Sequence, residues 1–341
     1  FTARDGGARQ LSVMPGPIDL TRPQSFSGRL PDFFVVGHPK CGTTALHQML
    51  KVHPEIHLPD RKEPWFLAEE LHERTPPRPE GTPRTLSEYA EWFSEARDGQ
   101  LVGDATAFYL WSRSAAANIA EINPQARIVA ILREPASFLH SLHLQQLETY
   151  VEVETDLGRA MELEDDRREG RSLPRHTYFP RMLLYSDFIH YVEQLERFYA
   201  VLPAKQIKVV IYDDFRADNE ATVREVRRFL GVEQAGPVVA LEANPTVRPR
   251  SQALNELVHA VGVGRGPISR AVKETIKSVT PDTARRRAFH ALKRKAVFAP
   301  ARPPEEAVMR RLRVRYRDEV VATSEYLGRD LVELWGYDRL D

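Results

Sequence analysis

The sequence predicts an α/β fold, a P-loop-like three-layer arrangement with a central parallel sheet flanked by helices. Three observations carry that expectation. Short, continuously apolar runs alternate with helical patterns, as strands buried on both faces do with their crossover helices. Two of the runs, RIVAIL (Arg127–Leu132) and IKVVIY (207–212), show no polar alternation at all. The first run, FFVVG (Phe33–Gly37), feeds a glycine-containing loop that opens into a helix.

Taken in order, residues 1–29 are rich in Gly, Pro, Ser and Arg without periodicity and read as an N-terminal arm. After the strand at 33–37, Leu46, Met49 and Leu50 recur at helical spacing. The stretch TPPRPEGTPR (75–84) holds four prolines in ten residues and reads as a loop. Leu101 and Val102 start a short strand. Helical patterns follow at 112–122, 137–147, 188–202 and 221–230, and the stretch EEAVMRRLRVRYRDEVVATSEYLGRDLVELW predicts two more helices. No internal repeat is visible. A single domain over 30–341 is the economical reading.

Composition narrows the function classes. The 341 residues are 42% hydrophobic, ample for one large core, and 48 cations balance 48 acids. A wholesale polyanion binder is usually more basic, so no nucleic-acid partner is expected. A single cysteine, Cys41, excludes an intramolecular disulfide and suits a reducing compartment. No apolar run approaches the roughly 18 residues of a membrane span. A cytoplasmic protein is expected, although a chain numbered from Phe1 leaves open whether a targeting segment precedes it.

Two charged segments interrupt the frame. Residues 152–169 carry eight acids against three arginines, and residues 265–295 carry ten Lys/Arg against Glu274 and Asp282. In the second, Ile268, Val272, Ile276 and Val279 recur at helical spacing. Its charges read as the wet face of a docked helix. The sharper reading is a surface for an anionic or membrane-associated acceptor, which would make a peripheral contact.

The loop HPKCGTTA carries the chemistry. Gly37 and Gly42 have the spacing of the phosphate-binding pattern GxxxxGK[ST], and Thr44 falls on its last hydroxyl. Unpaired N–H groups and the helix dipole make such a helix start an anion site. Yet Thr43 fills the lysine slot, and the lysine, Lys40, stands inside the loop. A nucleotide triphosphatase also needs a carboxylate for Mg²⁺, often an Asp at a strand end. Here the strand RIVAIL runs into Arg133. The expected ligand therefore carries one phosphate-like group at the loop and a second anionic group near Arg133, with no metal. Pro135 starts the next helix, which can return Ser141 toward the strand end.

HPKCGTTAL followed by LREPASFLHS resembles the sulfotransferase family that uses 3′-phosphoadenosine 5′-phosphosulfate (PAPS) as donor and releases 3′,5′-adenosine bisphosphate (PAP). The resemblance runs over most of 33–235. It implies that Lys40, Cys41, Gly42, Thr43 and Thr44 form the 5′-phosphosulfate loop, and that Arg133 and Ser141 bind the 3′-phosphate. HYVEQLERFY resembles the family's tyrosine-bearing helix and would put Tyr191 near the adenine. RKEPWFL resembles the Lys-Glu-x-x-Phe segment of the bacterial and carbohydrate-type branch, which makes Glu63 the catalytic base. The family's RKG-type loop has no clear equivalent. VRPRS (247–251) stands nearest and brings Arg248 and Arg250 as candidates. VGDATAFYL offers Asp104 where glycosaminoglycan enzymes often have a lysine.

The implied reaction is in-line transfer of a sulfuryl group to a hydroxyl of a carbohydrate, glycolipid or small natural product, without a metal. Lys40 would neutralise charge on the departing bridging oxygen, and Glu63 would take the acceptor proton. His140 and His143, which flank Ser141, are the competing bases. Lys62 could orient Glu63 or meet a donor phosphate. Cys41 reads better as a small loop residue than as a nucleophile. Asp213 and Asp214 suit helix entry and capping better than a metal pair. The rival functions are a P-loop kinase or NTPase and a non-catalytic nucleotide binder. Acceptor identity and oligomeric state are not encoded in any motif.

Overall fold

The computed structural model describes residues 17–22, 26–72, 81–174, 177, 179–232, 247–249, 298–300 and 304–340. Residues 247–249 and 298–300 are described by backbone alone. Most of the 1–29 arm, the greater part of the proline-rich loop, Arg250 and the basic segment 265–295 lie outside the described residues.

The central sheet has five parallel strands: β1 (Phe33–Gly37), β2 (Ile56–His57), β3 (Leu101–Asp104), β4 (Arg127–Leu132) and β5 (Ile207–Ile211). Their order is β2-β3-β1-β4-β5. All the pairings are parallel, with Phe33 opposite Gly103 on one side of β1 and opposite Arg127 on the other. The α/β expectation is met. β1 is central and every one of its residues is buried, which is why it reads as an apolar run without alternation. The two-residue β2 was not foreseen; it is too short to leave a pattern. A separate antiparallel pair joins β6 (Val247–Pro249) to β7 (Phe298–Pro300).

Helices, numbered along the described residues, cover the sheet. They are α1 (Thr43–Lys51), α2 (Leu86–Glu91), α3 (Ala115–Ile122), α4 (Pro135–Glu148), α5 (Leu157–Glu162), α6 (Glu164–Arg168), α7 (Tyr191–Tyr199), α8 (Tyr212–Ala217), α9 (Asn219–Leu230), α10 (Glu306–Leu327) and α11 (Leu331–Leu334). α1 buries Leu46, Met49 and Leu50, as their spacing predicts. α4 starts at Pro135, and the Glu134 carboxylate caps it by accepting from the amides of Ala136 (3.0 Å) and Ser137 (2.6 Å). α10 packs on α4 and α7, so the C-terminal helices lie against the sheet's own cover.

In such sheets ligands bind beyond the carboxyl ends of the strands, where the chain order switches direction. Here the switch lies between β1 and β4. The two loops that leave it carry Lys40 and Arg133.

The acidic stretch 152–169 forms α5, α6 and their approach, and Glu152, Glu164 and Arg167 of it are buried while Glu162, Asp165 and Glu169 are exposed. Glu152 is fully buried and pairs with Arg167 at 2.8 Å, while the Tyr185 hydroxyl donates to it at 3.1 Å. Removing one partner of such a pair leaves an uncompensated buried charge, at a cost of roughly 3–5 kcal/mol. Arg167→Met should therefore lower the urea-unfolding free energy by about that amount. A loss below about 1 kcal/mol would mean that Tyr185 and the neighbouring amides satisfy Glu152 unaided.

Candidate active site

A cleft of about 440 Å³ opens at the switch point. Lys40, Gly42, Thr43 and Thr44 line it from the β1 loop, Arg133 from the end of β4, Ser141 and Gln145 from α4, and Glu63 from the loop after β2. Residues that the sequence places far apart are thus brought to one wall.

The loop geometry explains its glycines. A Cβ on Gly37 would lie 2.8 Å from the Ile131 carbonyl oxygen of the neighbouring strand. Gly42 is the N-cap of α1 at φ 88, in the left-handed region, and a Cβ there would press on Phe215 and Tyr212 at 3.2 Å. With no side chain at the cap, the first amides of α1 are left for a ligand. Lys40 also has positive φ (68). Burial holds its ammonium below the ordinary lysine pKa, with Glu148 opposing and Arg133 adding to the effect.

Arg133 braces this loop. Its Nη1 donates to the Lys40 carbonyl at 2.7 Å, its Nε donates to Ser137 Oγ at 3.1 Å, and its guanidinium lies 4.8 Å above the Tyr212 ring. Ser141 is 2% exposed, and its hydroxyl has no hydrogen-bond partner among the described residues. One turn on, Gln145 Oε1 is in the same condition. Buried polar atoms are rarely left unpaired without a reason. Here both belong to residues that line the cleft, beside a guanidinium.

Glu63 and its neighbours form the opposite wall. Lys62 Nζ donates to Thr44 Oγ1 at 3.2 Å and stands 3.9 Å from the Glu63 carboxylate. Glu63 and Trp65 have φ of 60 and 56, a conformation that non-glycine residues seldom hold without a functional reason. Although 28% of the Glu63 side chain is exposed to the cleft, the surrounding protein raises its pKa; the Lys62 charge and the Trp65 indole N–H pull it back. Beyond Glu63 lies a second hollow of about 300 Å³, lined by Thr44, Arg61, Lys62, Glu63, Trp65, Thr82 and Trp92. Thr44 and Glu63 line both spaces.

Other candidates are not brought to the cleft. Tyr191 is fully buried; its ring stacks on His38 (5.3 Å, 26°) and its hydroxyl donates to the Arg133 carbonyl at 2.7 Å. Cys41 is fully buried and its thiol is pushed up to about 12 by burial, so no thiolate forms. His143 is buried and bonds the Glu154 carbonyl at 2.8 Å, and neither it nor His140 lines the cleft. Asp213 accepts from Trp335 Nε1 at 3.0 Å and Asp214 pairs with Arg329, so both are held by the C-terminal segment. The β6 backbone that carries Arg248 packs on α4. Gln145, Tyr212, Phe215 and Arg216 line the cleft and escaped the sequence reading. Gln145 had a signal, four residues after Ser141 on one helical face. The α8 residues had none, because IKVVIYDDF reads as a strand and a turn.

Comparison with known proteins places these residues in a family context. A model described as "Sulfotransferase family" matches residues 31–236. The human bifunctional heparan sulfate N-deacetylase/N-sulfotransferase 3 is 25% identical over 225 residues, 63% of this chain and 24% of that protein. The mouse heparan sulfate glucosamine 3-O-sulfotransferase 3A1 is 24% identical over 228 residues, 67% of this chain and 52% of that protein. The chain thus spans about half or less of the length of these curated relatives. A sulfotransferase crystal structure from Alicyclobacillus acidocaldarius superposes with a TM-score of 0.62 at 22% identity, covering 90% of this chain and 99% of that one, which shows the shared fold.

Asp104 allows a test of the electrostatics behind Glu63. It is fully buried, accepts from Tyr89 Oη at 2.7 Å and Thr106 Oγ1 at 2.6 Å, and its pKa is raised from 3.8 to about 6, first by burial. It is therefore no substitute for an acceptor-facing lysine. A carboxyl whose folded pKa exceeds its unfolded one contributes stability below the unfolded value and loses it as pH rises through the folded value. Relative to Asp104→Asn, the parent should lose roughly 3 kcal/mol between about pH 4 and pH 7. Urea midpoints that run parallel for the two proteins across that window would show that Asp104 is ionised throughout.

Proposed function

This chain belongs to the sulfotransferase family, and we propose that it transfers the sulfuryl group of PAPS to a hydroxyl of a carbohydrate, glycolipid or small natural product. The observation that carries the proposal is the convergence of Lys40, Thr44, Glu63, Arg133 and the unpartnered Ser141 hydroxyl on one cleft. The loop fits a 5′-phosphosulfate, since Gly42 leaves free amides at the start of α1. Ser141 and Arg133 fit the 3′-phosphate, which would give the buried hydroxyl its missing partner. Arg248, on the strand whose backbone packs on α4, and Arg250, outside the described residues, remain candidates for the same phosphate.

Bound PAPS supplies the sulfuryl group and its bisphosphate leaving group. Lys40, partly desolvated, places a positive charge where the bridging oxygen gains negative charge. Thr43 and Thr44 offer amides and hydroxyls to the 5′-phosphate. Lys62, bonded to Thr44 and close to Glu63, holds the carboxylate ionised against its burial. Glu63 accepts the acceptor's proton as its oxygen attacks. The hollow beyond Glu63 is the acceptor side. Trp65 and Trp92 in its lining, the latter with the Arg61 guanidinium 4.7 Å over its ring, suit a partly apolar acceptor such as a sugar.

No helix of the described residues is long and apolar enough to cross a membrane. A cytoplasmic location rests on the single cysteine, and one domain over 30–341 is supported by the packing of α10 on α4 and α7.

Two variants test the assignment. Glu63→Gln keeps the shape and removes the base, so kcat should fall by roughly 10²–10⁴-fold with PAP affinity unchanged. Near-parent turnover in that variant, with loss in His140→Ala, would move the base to the histidine. Arg133→Ala should weaken PAP binding by roughly 1.5–3 kcal/mol in calorimetry. Equal parent affinities for PAP and ADP would remove the 3′-phosphate from the assignment.

A further inference from the structure

The strands that end at the nucleotide cleft are followed at once by acids: Arg133 by Glu134 after β4, and Tyr212 by Asp213 and Asp214 after β5. None of these acids lines the cleft. All three are instead held by residues 304–340, which lie outside the stretch matched to the family. Tyr337 Oη donates to Glu134 Oε1 at 2.7 Å, and Arg313 Nε stands 3.7 Å from the same oxygen. Trp335 Nε1 donates to Asp213 at 3.0 Å, and Arg329 pairs with Asp214 through Nη2 at 2.7 Å. Tyr337 is fully buried and Trp335 nearly so.

Residues 335 and 337 are two apart, yet they reach the ends of two different strands. Gly336 makes this possible. It sits at φ 72, and the left-handed turn lets the flanking side chains diverge toward β4 and β5. The strand ends are themselves joined by the Arg133 guanidinium over the Tyr212 ring. Trp335-Gly336-Tyr337 therefore holds Glu134 and Asp213, the immediate chain neighbours of the Arg133 and Tyr212 that line the cleft. Glu134 does double duty, since the carboxylate that accepts the Tyr337 hydrogen bond also caps α4, the helix of Ser141.

We propose that Trp335-Gly336-Tyr337 is a clamp of positioning residues that sets Arg133 and Ser141 for the donor's 3′-phosphate. This rests on the donor reading given above. The clamp touches no ligand. It fixes the link between β4 and α4, and with it the angle between guanidinium and hydroxyl. The Tyr191 hydroxyl holds the Arg133 carbonyl from the other side.

The test is the ratio of affinities for PAP and adenosine 5′-monophosphate, which differ in the 3′-phosphate, measured by calorimetry on the full chain. Tyr337→Phe removes one hydrogen bond and keeps the ring; Trp335→Phe removes the indole hydrogen bond together with part of the ring's bulk. Each should lower PAP affinity by about 3- to 10-fold, the worth of one such bond, and change monophosphate affinity by less than about 2-fold. The two variants are independent, so either carries the measurement if the other fails to fold. A parent that favours PAP, with variants that keep the parent ratio or lose both ligands equally, overturns the clamp and leaves the donor reading standing. A parent that binds PAP no better than the monophosphate overturns the donor reading, and the clamp with it.

Discussion

Arg133 ties together the carboxyl ends of three neighbouring strands, and the site depends on that tie. It follows β4, donates to the Lys40 carbonyl in the loop after β1, and covers Tyr212 at the end of β5. A strained loop with Lys40 at positive φ needs such an external brace, because its own conformation is unfavourable. The guanidinium supplies it with Nη1, donates through Nε to Ser137 Oγ, and still lines the cleft. A lysine in its place would offer a point charge and no planar face for Tyr212. The same residue thus serves loop geometry and ligand charge together.

Strain and desolvation concentrate where the proposed chemistry lies. Lys40, Glu63 and Trp65 account for three of the five non-glycine residues with positive φ among the described residues. Lys40 and Lys62 are pushed below the ordinary lysine range by burial, and Glu63 is pushed above the ordinary carboxylate range. Each shift is unfavourable for the isolated group. Packed together, the charges offset one another: Lys62 lowers Glu63, while Glu63 and Asp104 raise Lys62. A carboxyl group whose pKa is raised by burial is, when ionised, a stronger proton acceptor than one in open water.

The chain is rich in carboxylates, and the structure disposes of most near the cleft in the same way. Glu134 caps a helix and takes Tyr337, Asp104 takes Tyr89 and Thr106, and Asp213 takes Trp335. Glu134 and Asp213 take donors from the far end of the chain, Asp104 from the nearer Tyr89 and Thr106. Glu63 alone among the acids lines the 440 Å³ cleft in the described residues. A charge count by segment cannot make this distinction. Glu152 illustrates it: counted among the eight acids of 152–169, it is buried against Arg167.

By itself the sequence determined the strand–loop–helix unit at 33–51, the buried strand 127–132, the strand read as 207–212 that ends one residue earlier at Ile211, and the helix that carries Ser141. These features are local. Glycine spacing, apolar periodicity and a proline at a helix start constrain backbone torsions directly, so they can be read from a few residues. Only the tertiary structure decided that Tyr191 would lie in the core with its hydroxyl on the Arg133 carbonyl, and that Glu63 would stand between two hollows. It also decided that residues beyond 304 would grip both strand ends, and that Asp104 would be sealed behind the site. Those outcomes depend on which surfaces meet in the folded chain, across separations as large as that between Tyr337 and Glu134. Such a meeting is settled by packing and by the pairing of buried polar groups, and neither leaves a periodic trace along the chain.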